Sequence, residues 1–418
     1  MYSKPNFIKS LIIFSRMLVG FVFIFSGFVK GIDPMGSAYK FQDYFDVFNL
    51  NFLHNFALIF AIVLSSLEFI VGISLFFGLR TRIGSWGALL FMIIFTPLTL
   101  ILALSNPVDD CGCFGDAVVL TNWQTFWKNL FLMVFTLVTI WGRKKFISIY
   151  KSATEWIVVT AFLVFIGGIS GYGLIHLPVI DFRPYSIGSS IVEGMTIPEG
   201  AAQDQYKTTL IYEKNGIQKE FSDNDFPWQD SSWSFVDQKS ILINEGYQTP
   251  IHDFNIVSSH GEDITYQVLD NPDFSFLVVC KSLSESRLES LNLINELALY
   301  FLQRDIPFYG LSSSNSSEIE SFWTNSDPFF DFYSCDETTL KTIIRSNPGL
   351  LLLKDGTILA KWSWRDIPTT DEFSGQLLSE QITMLRKDRD KWKIYSLFLS
   401  IFLLWSLAAS FVPYKNER

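Results

Sequence analysis

The chain has 418 residues, 49% of them hydrophobic and only 18% charged, with 41 Phe and 12 Trp. So apolar and aromatic a composition is far from a soluble average and places much of the chain in a lipid bilayer. The net charge of −10 comes mostly from the polar second half. No basic patch or nucleic-acid motif accompanies it, so a nucleic-acid partner is set aside.

Apolar runs long enough to cross about 30 Å of hydrocarbon predict six spans. They fall near Ile8–Phe28, Phe56–Phe77, Gly84–Leu104, Trp123–Trp141, Trp156–Ile175 and Ile394–Phe411. The first is too long for a signal-peptide core and has no small-residue cleavage site, so it should remain as an anchor. Lys4 and Lys9 precede it, Arg80 and Arg82 lie between spans two and three, and Arg143, Lys144, Lys145 and Lys151 lie between four and five. The positive-inside rule puts these loops in the cytoplasm. By alternation the loop after span three and the polar region after span five are periplasmic, and both termini are cytoplasmic. The basic stretch 386–393 disagrees, but it follows a long translocated region, where the rule is weak. The expected location is therefore the inner (cytoplasmic) membrane, multi-pass, with a large periplasmic domain.

Between spans three and four lies Asn106-Pro107-Val108-Asp109-Asp110-Cys111-Gly112-Cys113-Phe114-Gly115-Asp116. Two thiols one residue apart at a membrane surface form a candidate redox pair, and Gly112 lets the backbone bend enough for a bridge. Closing so small a ring strains a disulfide, and strained bridges tend to be the exchangeable, oxidising kind. A fixed loop staple is the plainer reading of the same residues. Asp109, Asp110 and Asp116 oppose thiolate formation, so a cation such as Lys30 or Lys40 has to approach.

Charges inside the spans are the next signal. Arg16 sits roughly 12 Å into span one, and Glu68 roughly 15 Å from the same side of span two. An unpaired charge at that depth costs at least ~2.5 kcal/mol, so an Arg16–Glu68 pair is expected, as a structural pin or as a polar contact to a head group, quinone or proton path. Four His residues (His54, His176, His252, His260) lack ligand spacing, and no metal site is expected.

Arg16, then Ser26-Gly27-Phe28-Val29-Lys30-Gly31-Ile32-Asp33-Pro34, Gly36 and Lys40, resemble the first helix and following loop of the DoxX family. Glu68, Gly72, Gly78 and Arg80 are similar to its second helix, and Cys111–Gly115 resembles its methylamine-utilisation MauE branch. The resemblance covers about residues 7–150, a four-helix unit. It implies thiol or sulfur redox chemistry at the membrane: DoxX-like proteins are associated with thiosulfate:quinone oxidoreduction, MauE-like proteins with maturation of a disulfide-rich dehydrogenase subunit.

In the polar region Lys207–Tyr212, the Asn215-Gly216 turn and Ser240–Ile243 predict a short β-rich element. Beyond Asn271, Phe274–Cys280 reads as a buried strand, Ser286–Gln303 as a helix and Pro307–Leu311 as a strand. Pro348–Trp362 then reads as a strand with an Asp355-Gly356 hairpin. This order resembles the thioredoxin fold, which implies a cis Pro348 with the Asn347 backbone beside a client strand. The positions where that fold carries Cys-x-x-Cys read Leu283-Ser284-Glu285-Ser286, so the resemblance implies the fold and not its redox activity. Cys280 reads as core, and Cys335 as the more accessible of the two. The whole chain resembles a Bacteroidetes arrangement of DoxX-like unit and thioredoxin-like domain, in which Asp181–Tyr185 and Arg345–Gly349 look like recurring segments.

The expected architecture is an α-helical membrane bundle, a DoxX/MauE-like four-helix unit plus two further transmembrane helices, with a periplasmic α/β thioredoxin-like domain. Its parts are residues 1–150 (four-helix unit), 151–178 (fifth span), 179–270 (β-rich segment), 271–390 (degenerate thioredoxin-like domain) and 391–418 (sixth span and tail). The expected function is accessory thiol–disulfide chemistry in protein maturation. Cys111 and Cys113 would be the reactive pair, Asn347 and Pro348 the client contact, and Lys30, Asp33 and Lys40 a motif loop. The expected partners are the bilayer, a periplasmic client or oxidoreductase, and quinone. The alternative is a non-enzymatic assembly factor whose α/β domain docks a partner.

Overall fold

Among the described residues five helices are long and apolar enough to cross a membrane, and they make the chain a multi-pass membrane protein. The computed structural model describes residues 7–108, 110–145, 152–222, 227, 230–244, 246–326 and 328–373, with 396 and 400 beyond them. Apart from 396 and 400, the span expected at Ile394–Phe411 lies outside the described residues, as do the basic stretch before it and Asp109. The first helix, α1 (Phe7–Ile32), runs four residues past the span expected for it. Asp33 then accepts the Gly36 N–H at 2.9 Å with Pro34 at the first helical position, and these signals start α2 (Pro34–Val47). A helix therefore stands where the sequence motif suggested a loop.

The remaining apolar helices are α3 (Ala57–Phe77), α4 (Thr81–Ser105), α5 (Asn122–Gly142) and α6 (Ser152–Ile175). Their outward residues, such as Phe14, Ile94 and Val164, are open to lipid. Hydroxyls inside the helices bond back to their own backbone: Ser15 donates to Leu11 O, Ser85 to Thr81 O and Thr136 to Leu132 O.

α1 and α3 are antiparallel and pack backbone to backbone. A Cβ on Gly20 would lie 2.7 Å from Phe76 N, so only glycine permits this approach. Gly20 beside Phe76 and Gly27 beside Phe69 fix the register of the pair. That register corrects the expected Arg16–Glu68 pairing. Arg16 lies against the Gly78 turn, 3.0 Å from where a Cβ on Gly78 would stand, while Glu68 pairs with Lys30. Hydropathy windows missed this because they ended α1 before Lys30 and so misjudged depth.

After α6 the chain passes through α7 (Ile191–Met195) into a three-stranded antiparallel sheet in the order β2-β1-β3. The strands are β1 (Gln205–Lys214), β2 (Ile217–Ser222) and β3 (Ser234–Asn244), with Asn215 and Gly216 at positive φ in the turn. A short α8 (Thr265–Leu269) leads into the second sheet. Its elements are β4 (Phe274–Cys280), α9 (Leu288–Leu302), β5 (Phe308–Ser312), α10 (Ser316–Ser326) and β6 (Asp331–Ser334). They continue with α11 (Glu337–Ile343), β7 (Gly349–Lys354) and β8 (Thr357–Ser363). The sheet order is β6-β5-β4-β7-β8, with β4, β5 and β6 parallel and β7 and β8 antiparallel additions.

Strand β4 is buried on both faces, as its unbroken apolar run predicts. Phe276, Val278 and Cys280 join one core with α9, and Leu277 and Val279 join the other with α11. The Asn347-Pro348 peptide is cis. Cys335 is buried and not the accessible thiol expected, because β6 and α11 close over it.

The segment after α6 is pinned by charge. Arg183 donates to both Asp181 oxygens at 2.7 and 2.9 Å, and the fully buried Lys361 ammonium donates to Asp181 at 3.0 Å. Burial opposes the Asp181 charge, but Lys361 and Arg183 outweigh it and hold the carboxyl well below its usual range.

Candidate functional site

The loop between α4 and α5 carries Cys111 and Cys113, and its shape is fixed from both ends. Asn106 ends α4 in the left-handed region, and Asn122 at the start of α5 donates to Asn106 Oδ1 at 2.8 Å and Val108 O at 2.7 Å. Between them Gly112 sits at φ 62°, where a side chain would be strained, and its N–H donates to Asp110 at 2.6 Å. Gly115 N–H returns to Gly112 O at 3.0 Å and closes the turn.

Each cysteine is also held by its carbonyl. Tyr44 of α2 donates to Cys111 O at 2.5 Å, and Ser26 of α1 donates to Cys113 O at 2.6 Å. The loop is thus seated on α1 and α2, which explains why the sequence motif spans both regions. Among the described residues all four cysteines are free thiols.

Carboxylates near the thiols are neutralised. Lys40 reaches Asp110 at 2.8 Å, and Arg345 of the α/β part reaches Asp116 at 3.1 Å. Lys30 does approach from the last turn of α1, held in an ion pair with Glu68. Lys128 of α5, a charge inside an otherwise apolar span, packs its ammonium 4.2 Å from the Phe114 ring. Its isolation in that span was the one available sign of a role.

The two thiols differ in consequence. A hydrogen bond from Cys111 favours the Cys113 thiolate, and against the burial penalty Lys128 and Lys30 add to it, so the Cys113 pKa falls below the thiol range. The same hydrogen bond and burial push Cys111 far up. Cys113 is also the less buried of the two. The arrangement favours the thiolate at Cys113 and leaves the proton on Cys111. Cys280 and Cys335 differ: burial pushes each up to about 12, and they are inert packing groups.

Below the loop, among α1, α2, α3, α4 and α5, is a cavity of about 110 Å³. Both cysteines, Lys40, Lys128 and the Lys30–Glu68 pair line it together with Phe23, Phe91, Met92, Phe95 and Leu98.

Asp33 and Lys40, the other motif residues, bind neighbours. Arg345, nearly buried, donates from Nε to Asp33 at 2.8 Å. Lys281 donates to the Tyr39 hydroxyl at 3.2 Å, and the Tyr39 ring also carries the Lys341 and Arg345 cations at 5.0 and 5.4 Å. Asn347 is turned inward, donating to Ser282 O at 2.9 Å and accepting from Ser286 Oγ at 3.0 Å. The face proposed from sequence for a client is therefore flanked by contacts to the protein's own α2.

Residues 8–142 match the family model described as methylamine utilisation protein MauE. Those residues are a MauE-like membrane domain. Residues 206–245, the three-stranded sheet, match a domain of unknown function, DUF8463. No curated protein matches the chain. The MauE-like match ends at the last residue of α5, so it contains the Cys-Gly-Cys loop and all five helices that line the cavity but neither α6 nor the α/β part.

Proposed function

We propose that the protein is a membrane accessory factor for thiol–disulfide chemistry in protein maturation, with Cys111 and Cys113 as the exchanging pair on the periplasmic face of the inner membrane. The observation that carries this reading is the asymmetry of the pair. Cys113 has a hydrogen-bond donor and two lysines turned toward it, and Cys111 is the buried partner able to resolve a mixed disulfide. The match to a methylamine utilisation protein supports an accessory role in maturation. The DoxX kinship rests on the Arg16-to-Arg80 motif residues named above.

We read the α/β part as thioredoxin-like on its strand order and on the helix α9 between β4 and β5. Without thiols at Leu283–Ser286, it serves as a docking module set over the loop through Arg345 and Tyr39. The second reading, a non-enzymatic assembly factor, draws on that missing pair.

Mixed-disulfide trapping separates the two. In Cys111→Ala, Cys113 should accumulate a reductant-sensitive adduct with a client, because the resolving thiol is gone. In Cys113→Ala no adduct should form. Failure of both variants to trap any protein, with the double variant still supporting client folding, leaves the assembly factor as the function.

A further inference from the structure

The cavity under the Cys loop has no part in thiol exchange with a protein client, which cannot enter a space of about 110 Å³. We propose that it admits a hydroperoxide, hydrogen peroxide being the smallest, whose O–O bond is broken on the Cys113 sulfur, so that the pair closes without a protein oxidant. This rests on the thiol–disulfide reading and names the oxidant for it.

Size, charge and placement point to this class. The space is smaller than the ~150 Å³ cavity that takes a bare benzene ring, so its occupant has only a few heavy atoms. Three lysines line it, and two are already neutralised, Lys30 by Glu68 and Lys40 by Asp110. Among the described residues Lys128 makes no ion pair with a carboxylate, so the anion left for it is Cys113 itself. With that pairing the lining is neutral, and an anionic occupant would be buried without a cation of its own. A small neutral molecule that accepts an electron pair is what remains, and a peroxide is that class of oxidant. Lys128 also stands where the reaction needs a proton, beside the sulfur from which hydroxide departs. The resolving thiol is in place too, since Cys111 is already hydrogen-bonded to Cys113.

The step balances with no further reagent. The Cys113 thiolate attacks one peroxide oxygen, forming an S–O bond and breaking the O–O bond, and Lys128 protonates the departing hydroxide to water. Cys111 then attacks the sulfenic acid on Cys113. The S–S bond forms, and the hydroxyl leaves with the Cys111 proton as a second water. The two sulfurs have given up one electron pair and the peroxide has taken it. Lys128 regains its proton from the client thiol that next opens the bridge.

In full-length Cys111→Ala the bridge cannot close, so a sulfenic acid formed on Cys113 by hydrogen peroxide persists and dimedone captures it. Dividing that rate by the iodoacetamide rate of the same thiol cancels the thiolate fraction. The quotient should exceed that of glutathione by at least about 100-fold, the lower end of what a placed proton donor contributes. In the same background Lys128→Arg keeps the charge, but an arginine gives up no proton. It should hold the iodoacetamide rate and lose the excess, whereas Lys128→Met should slow both reactions. Leu98→Trp, which fills the cavity from a half-buried position, should lose the excess and leave alkylation unchanged. In the wild-type protein hydrogen peroxide should close the pair with one peroxide consumed per bridge. A quotient equal to that of glutathione overturns the proposal, as does an excess that survives Lys128→Arg or Leu98→Trp. If glutathione disulfide closes the pair and peroxide shows no excess, the oxidant alone falls. If neither reagent closes it, the thiol–disulfide reading falls and the proposal with it.

Discussion

Removing the Arg345 guanidinium should release the α/β part from the membrane unit. Arg345→Met keeps the length of the side chain and deletes both ion pairs. The two are unequal: the Asp33 carboxylate is 19% exposed and Asp116 is 41% exposed, against 6% for Arg345. Breaking a buried pair costs about 3–5 kcal/mol because the survivor is left charged and unpaired, and Asp33 fits that case at the lower end. The Asp116 leg is worth under ~1 kcal/mol. Opening between α2 and the α/β part should therefore become easier by about 3 kcal/mol, which is more than 100-fold. Hydrogen exchange at peptides covering the start of α2 and the Cys loop reads that opening. Arg345→Met should raise exchange by that factor, and Asp116→Asn by less than about fivefold. Asp33→Asn keeps the helix cap, since Asn caps as well as Asp, and combined with Arg345→Met should recover part of the loss. Equal exchange in Arg345→Met and Asp116→Asn, or no coupling between Arg345 and Asp33, would refute the reasoning.

Other outcomes follow from the same contacts. Alkylation of Cys113 should show an inflection below the usual thiol range, and Cys111→Ala or Lys128→Met should each move it upward; an unshifted profile in both would mean that neither group stabilises the thiolate. Gly20→Leu should lower detergent stability by more than the ~1–3 kcal/mol typical of overpacking, because the obstacle is the Phe76 backbone, whereas Val22→Leu on the same helix should be tolerated, with melting temperatures as the readout. The Asp33 carboxyl, despite burial, is held below its ordinary range by Arg345 and Arg183. Its contribution is therefore complete above the unfolded value near 4 and is lost as pH falls through the folded one, so the protection factor at α2, taken relative to the intrinsic exchange rate at each pH, should be flat from about pH 5 to 8 and fall only below about 4.

The apolar helices were legible because a span must be apolar along its whole length, and the Phe274–Cys280 strand because its burial sets its pattern; Lys207–Tyr212, of which only Ile211 is buried, was marked instead by the Asn215-Gly216 turn that follows it. The Asp33-Pro34 start of α2 was written in the chain as a cap with a proline behind it, yet was hidden inside a family loop. Pairing across helices was not legible: one turn of extra α1 moved Lys30, and not Arg16, to Glu68. Lys128 carried a signal, being a lone cation in a span. Arg345 carried none for its role, since its partners at 33 and 116 lie in parts of the chain that only the docking of the two units brings together.

The central claim is that Cys111 and Cys113 cycle between dithiol and disulfide. Equilibrating the purified protein across a series of glutathione buffers, quenching with a thiol label and weighing the peptide spanning residues 106–121 measures this directly. The account predicts a single two-electron transition within the series, reversible in both directions and absent from the Cys111→Ala and Cys113→Ala variants. A pair that stays fully reduced in the most oxidising buffer, or stays bridged in the most reducing one, would contradict it.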